Sequence, residues 1–316
     1  MVKLEKICQA VCIALAVAMA VPDLYASSDN NTTEPEELSL DEIAKELSNP
    51  VTALRSIGNE IEYRTFQGDL TASSDQDHPV YRFEPSYPFR LSNGKNLLVR
   101  ASIPVSLSKP EWRINEDDPL WQQDRDYTEF LLRQSPQVTS DTGKFGSVHG
   151  HLDDITFDVA YGSVNDNGFI SMYGIAGSLP TSQNIDGARE QTLLGPEIAL
   201  GKSAQWGVIG AWVKHLVNVA GDKTFDTNET SIDVFFAYGL GNGWQIISNP
   251  SILYDWEADS GNELLLPLGG GVSKTTRFGQ VPVRMDLELQ YYVVSPDRFG
   301  PEWLLAFNLR PVFKGW

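Results

Sequence analysis

Seven charged residues are set apart by their surroundings: Arg100, Asp158, Asp233, Arg284, Asp286, Glu288 and Arg310 each lie between two apolar neighbours. In extended backbone successive side chains leave opposite faces, so each charge faces one way while its neighbours face the other. On strands long enough to cross a bilayer, such charges are expected to face the inside of a closed barrel. There they either pair and brace the wall or leave a narrow path for solute. Rings of charge can select ions, but the mixed signs argue against a strongly cation- or anion-selective pore.

Other groups offer weaker chemistry. Of the four histidines, His149 and His151 form His-Gly-His, which could hold a metal with Asp153 or Asp154. A solvated loop explains the same residues, because nothing else fixes their geometry. His215 could serve as a hydrolase base, yet no Gly-x-Ser-x-Gly elbow accompanies it. The acidic stretches at Asn115-Glu116-Asp117-Asp118 and from Asp255 to Glu263 lack EF-hand spacing for the roughly 6 to 8 oxygens that calcium takes. Both cysteines, Cys8 and Cys12, lie in an N-terminal apolar segment, so the remaining chain has neither disulfide nor thiolate metal site. The chain reads as a non-enzyme that needs no metal and no cofactor.

The elements that position the seven charges follow from periodicity. From Val281 to Val293, one parity holds Val281, Val283, Met285, Leu287, Leu289, Tyr291 and Val293, and the other holds Arg284, Asp286, Glu288 and Gln290. Such a strand has its two faces in different solvents, and its length covers the roughly 9 to 11 tilted residues that cross a bilayer. Leu97 to Leu107 and Ile155 to Tyr161 alternate in the same way, whereas 206–218 is less regular, with Lys214 on the parity of Trp212 and Leu216. Candidate strands are 57–66, 80–91, 97–107, 154–163, 169–179, 192–202, 206–218, 230–240, 244–254, 263–274, 281–293 and 303–313. Short connections at 92–96, 203–205, 241–243 and 275–280 alternate with longer, more acidic ones at 180–191, 219–229, 255–262 and 294–302. With 108–153 as one long excursion, the scheme closes as an all-β, transmembrane antiparallel up-and-down barrel of about 12 strands. A strand at Tyr127 to Arg133 would break that parity.

The 316 residues carry a formal charge of −18 and a pI near 4.5, which excludes a nucleic-acid partner for want of clustered cations. Lys3 and Lys6 precede an apolar run from Ile7 to Val21 and small residues at Ala18 and Ala20, the layout of a signal peptide. Residues 1–20 are expected to be removed, with cleavage after 26 as the alternative; a retained anchor is disfavoured because the run is short. Residues 21–56 then form a flexible lead-in and a short helix: Ser39 and Glu42 have capping-box spacing, and Leu40, Ile43, Ala44 and Leu47 share one face. That helix either plugs the lumen or packs against a rim. Residues 57–316 form the barrel, expected in the cell outer membrane, with lipid, a small solute and the barrel-assembly machinery as partners. Trp206, Trp244, Trp256 and Trp303 at strand ends fit interfacial girdles, and the last strand presents Trp303, Leu305, Phe307, Leu309, Pro311 and Phe313 on one parity.

Further residues carry a family likeness. They are Ala220-Gly221-Asp222, Tyr254-Asp255-Trp256-Glu257-Ala258, Leu268-Gly269-Gly270-Gly271-Val272-Ser273-Lys274, Tyr291-Tyr292, Ser295-Pro296-Asp297 and Gly300-Pro301-Glu302-Trp303, with weaker matches at Leu152-Asp153-Asp154-Ile155, Gly195-Pro196 and Asn49-Pro50-Val51. In these the chain resembles the bacterial outer-membrane proteins grouped as MetA-pathway of phenol degradation. The resemblance implies a transporter-like barrel for small, often hydrophobic or aromatic molecules, and brings no catalytic residues. A non-conducting structural or adhesive barrel, an enzyme barrel and a soluble β-sandwich are the competing readings.

Overall fold

A computed structural model describes residues 38–114, 143–182, 190–222 and 226–313. The expected signal peptide, the acids at 115–118 and the segment 127–133 lie outside the described residues. The first element is the helix that the Ser39 and Glu42 spacing predicts. Helix α1 spans Leu40–Leu47. The Glu42 amide donates to Ser39 Oγ at 3.2 Å while the Ser39 amide donates to the Glu42 carboxylate at 2.8 Å, satisfying two amides that the helix itself leaves unpaired. The Ser39 side chain, and then its backbone, hold the Glu42 carboxyl below the usual carboxylate range.

The strands run in chain order: β1 (Arg55–Gln67), β2 (Asp77–Arg90), β3 (Asn96–Ser106), a side hairpin of β4 (Lys109–Ile114) and β5 (Gly143–Val148), the two-residue β6 (His151–Leu152), β7 (Ile155–Val164), β8 (Phe169–Leu179), β9 (Gln191–Ala204), β10 (Gly207–Gly221), β11 (Asn228–Gly241), β12 (Trp244–Ser248), β13 (Ser251–Asp255), β14 (Leu264–Phe278), β15 (Val281–Val294) and β16 (Gly300–Phe313). With β12 and β13 forming one interrupted stave, they make a closed antiparallel barrel of 12 staves. Each stave pairs with its neighbours in sequence, and β16 returns to β1, with Ile61 opposite Phe307. Closure leaves the 12 staves no free sheet edge among the described residues. The expected fold class is therefore the observed one.

Two details depart from the expected layout. The barrel begins at Arg55 rather than 57, and the excursion 108–153 is not a plain loop, because β4 and β5 pair at its base. That pairing joins residues separated by the undescribed stretch 115–142, too far apart for local pattern to report. The break between β12 and β13 falls at Asn249-Pro250, where proline has no amide to give a ladder. Opposite this break, β14 carries Gly269-Gly270-Gly271. A Cβ on Gly271 would lie 1.9 Å from the Leu287 carbonyl oxygen, so a side chain there is excluded by the wall itself. The bare inner face lets the break fold inward: Ser248 donates to the Gly269 carbonyl at 2.7 Å, and the Asn249 amide to Glu288 at 2.7 Å.

The two faces of the wall differ as the alternation requires. Leu287, Leu289, Tyr291 and Val293 are exposed on the outside of β15, while Arg284, Glu288, Gln290 and Tyr292 between them are buried. Tyr173, Ile175, Ile198, Leu200 and Leu268 extend the apolar outer belt around the barrel. Aromatics border it at both ends. Trp206 stacks on Tyr238 near the short turns, and Tyr254 meets Trp256, and Tyr291 meets Trp303, near the long connections.

Candidate functional site

The interior has three levels, and the chain preceding β1 makes the lowest. At the short-turn end, Asp41 of α1 accepts from the amides of Asn242 and Gly243 in the β11–β12 turn, at 3.2 and 2.5 Å. Farther in, Arg284 donates to Ser48 Oγ at 2.7 Å and to the Ala44 carbonyl at 3.3 Å. A cation there meets the negative end of the helix. Residues past α1 continue inside the barrel: Arg100 donates to the Pro50 carbonyl at 3.0 Å, and Asn96 to the Val51 carbonyl at 2.8 Å. Val51 then packs into Leu98, Ala160, Ile170, Met172, Ala199 and Val208. The segment is thus anchored at the rim by the first turn of α1, and its residues 48–51 fill the lumen.

The middle level is a charged belt. One network runs through Arg100, whose guanidinium pairs with Asp158 at 2.7 Å and lies 4.1 Å from the Trp212 ring. Lys214 sits 4.0 Å from the same ring and pairs with Asp233 at 2.6 Å, while Trp212 Nε1 donates to Glu197 at 2.9 Å. A second network, across the barrel on β1, β2 and β16, joins Glu62 to Arg64 and Arg82 at 3.2 and 3.1 Å, Glu84 to Arg310 at 3.1 Å, and Glu60 to Asn308 at 3.1 Å. On β15, Arg284 pairs with Asp286 at 2.7 Å, and Glu288 accepts from Asn249 and from Gln290, each at 2.9 Å from a side-chain amide. Arg100 with Asp158, Lys214 with Asp233, Arg82 with Glu62 and Arg284 with Asp286 compensate each other locally, as buried ions require, while Glu60, Glu197 and Glu288 are held by neutral donors.

The third level, toward the long connections, is mostly apolar, with Arg64 and Gln290 at the height of Leu304. Phe66, Leu216, Leu253, Leu265, Tyr292 and Leu304 line the lumen there. Phe66 stacks on Phe299 at 4.4 Å, Phe299 meets Phe145 at 4.8 Å, and Phe145 meets Trp112 at 4.8 Å. This run of rings ties the β4–β5 hairpin to the mouth. Between the plug and the mouth lies a cavity of about 880 Å³, lined by residues 47–50 below and by the belt and the apolar level above.

All seven charges singled out from the sequence line this cavity. Sequence reasoning missed Glu60, Glu62, Arg64, Arg82, Glu84, Glu197 and Trp212, although the parity of β1 and β2 carried a signal: Glu60, Glu62 and Arg64 alternate with Ile61 and Tyr63. Asn59, on the outward parity, blurred it; it is buried by donating to the Leu309 carbonyl and accepting from Tyr81. Lys214 was the irregularity in 206–218, and it faces inward with Trp212. His149, His151 and His215 are placed apart from these groups, whereas His78 stands opposite Arg64. His149 is exposed, His151 Nε2 lies 3.1 Å from Asp153, and Asp154 is engaged by Ser182, so the acids considered for a metal face different partners. His215 pairs with Thr230 at 2.9 Å, and Trp256 donates to the same hydroxyl.

No family model matches the chain, and no curated protein matches it. Solved structures do. An outer membrane channel from Pseudomonas putida F1 superposes with a TM-score of 0.56 at 11% identity, over 89% of this chain and 100% of that one. Outer membrane phospholipase A from Escherichia coli gives 0.37 at 11% identity, over 88% of this chain and 99% of that one. A monoaromatic hydrocarbon channel, CymD, gives 0.34 at 10% identity, over 88% of this chain and 91% of that one. The first of these likenesses establishes a shared fold: this chain has the architecture of an outer-membrane β-barrel.

Proposed function

We propose that the chain is exported by a cleaved signal peptide, residues 1–20 or 1–26, and placed in the outer membrane by the barrel-assembly machinery, with its short turns toward the periplasm. There it is a channel for small apolar or aromatic molecules, which move by passive or facilitated diffusion without a cofactor. The observation that carries this reading is the cavity of about 880 Å³ whose outer half is walled by Phe66, Leu216, Leu253, Leu265, Tyr292 and Leu304. The apolar side chains of this level, set in a barrel otherwise lined by polar and charged groups, remove water-exposed area from a neutral solute, at about 25 cal/mol per Å². Binding pockets for small molecules fall between roughly 300 and 1,000 Å³, so the space suits one such molecule. The fold shared with an outer membrane channel supports the reading, as does the resemblance of residues 220–313 to the phenol-degradation MetA group.

The plug favours a second reading, a non-conducting structural or adhesive barrel whose acidic connections meet partners outside the cell. Uptake into liposomes separates the two. A neutral monocyclic aromatic should enter protein-containing vesicles faster than empty ones, and Leu253→Asp with Leu265→Asp should reduce that gain. Equal entry with and without protein would remove the transport reading and leave the structural one.

A further inference from the structure

Three lysines ring the outer face of the barrel at the short-turn end. Lys95 lies in the β2–β3 turn. Lys202 stands opposite Phe169, the first residue of β8, and Lys274 opposite Trp244, the first residue of β12. Their staves are third, sixth and tenth of the 12 around the barrel, so the charges are spread around the rim at one height. Each ammonium is held at the level of the turns and away from the apolar belt. Lys95 Nζ lies 4.9 Å from the Tyr161 ring; Lys274 Nζ lies 5.0 Å from the Trp244 ring and donates to the Asn242 carbonyl at 2.6 Å. Lys202 Nζ donates to the Asn167 carbonyl. The stems cover apolar wall while the heads reach the interface, and an ammonium with three donors keeps at least two for a further acceptor.

The opposite rim is built differently. Its aromatics pair as those of the short-turn rim do, Tyr254 with Trp256 and Tyr291 with Trp303, both at 4.7 Å, and the difference lies in charge. The connections beside them carry Asp255, Glu257, Asp259, Glu263, Asp297 and Glu302 against the single cation Arg298.

We infer that the short-turn rim is a binding ring for anionic phospholipid headgroups, with Lys95, Lys202 and Lys274 holding the phosphate at the level of the aromatic girdle. This rests on the membrane reading above. The occupant is a bilayer phospholipid, because the lysines stand just beyond the belt where acyl chains end, and a negative headgroup matches the three ammoniums, which outnumber the one exposed acid of the strand turns there, Asp166. The ring anchors the barrel's depth in the leaflet and distinguishes its two ends.

The test is the association of spin-labelled phosphatidylglycerol and phosphatidylcholine with the full barrel in phosphatidylcholine vesicles, read as the motionally restricted fraction. Wild type should favour phosphatidylglycerol by roughly fivefold, the effect of about 1 kcal/mol for a lysine near the lipid surface. The preference should collapse in about 1 M salt, where the screening length is roughly 3 Å. It should also collapse in the triple variant Lys95→Gln, Lys202→Gln, Lys274→Gln, return with arginine at the three positions, and survive Lys144→Gln on the β4–β5 hairpin. Equal association of the two lipids with wild type, or an undiminished preference in the triple variant, would overturn the inference while the barrel remains a membrane protein. Absence of any restricted lipid, with failure to float with the vesicles, would overturn the membrane reading itself.

Discussion

The short-turn half of the lumen is packed tightly around Val51, with only a small cavity of about 230 Å³ beside α1, and the long-connection half is hollow, although the same staves build both. In the lower half, Leu98, Ile170, Met172, Ala199 and Val208 are at most 1% exposed around Val51. In the upper half, Leu216, Leu253 and Leu265 face a cavity. What differs is the size of the inward residues and the presence of a chain to fill the space. Ala160, Gly162 and Ala199 leave room on β7 and β9, and a Cβ on Gly162 would come 2.5 Å from Val51 Cγ1. The lesson is that a barrel wall can be written to receive a plug at one end and a guest at the other.

The sharpest way to break this contrast is to remove the filler. A chain lacking residues 38–54 should lose the floor of the cavity, and its single-channel conductance in planar bilayers should rise several-fold over the full chain. An unchanged conductance in a folded, heat-modifiable barrel would mean that the plug closes nothing.

Arg284 holds the plug from the wall, pairing with Asp286 while donating to Ser48 and Ala44. Arg284→Met leaves a largely buried carboxylate and a helix end without their cation, at a cost of about 3 kcal/mol. Urea unfolding should show that loss, with conductance fluctuating as the plug loosens. Gly162→Ala should act on the same contact from the packed side. Overpacking there costs about 1 to 3 kcal/mol, and Val51→Ala in the same chain should recover part of it, because it removes the nearest atom in conflict and leaves the Ser171 carbonyl oxygen at 2.8 Å. If the two changes simply add, Gly162 does not read Val51.

The smallest effect belongs to the cap. Ser39→Ala should weaken α1 by about 1 kcal/mol and increase proteolysis of the plug. The Glu42 carboxyl is depressed by Ser39, so its share of the cap is present above the unfolded carboxyl pKa and is lost as pH falls through the lower folded value. The gap between Ser39→Ala and wild type should therefore narrow in acid.

The barrel was legible because its signal is local. Alternation along Val281–Val293, and short turns alternating with long connections, set strand number and face without any knowledge of pairing. The seven cavity charges were legible for the same reason, each lying between apolar neighbours. The helix could be read from Ser39 and Glu42, but its place inside the lumen could not, since it depends on Arg284, Arg100 and Gly162, all distant in sequence. Glu62 with Arg82, and Lys214 with Asp233, are cross-strand pairs that exist only once the register is set. The β4–β5 hairpin depends on residues on either side of a long excursion, and the apolar upper level on single inward leucines from separate staves. Neither leaves a periodic trace.

The division of the lumen is most directly tested by thiol labelling, because Cys8 and Cys12 lie in the segment expected to be removed. Cysteine is placed singly at Ser231, which lines the cavity, and at Ala199, which is 0% exposed beneath it. A small membrane-impermeant reagent added from the long-connection side should modify Ser231→Cys quickly and Ala199→Cys hardly at all, with Ala199→Cys becoming reactive once residues 38–54 are removed. Equal rates at both positions in the full chain would contradict a lumen that is hollow above and filled below.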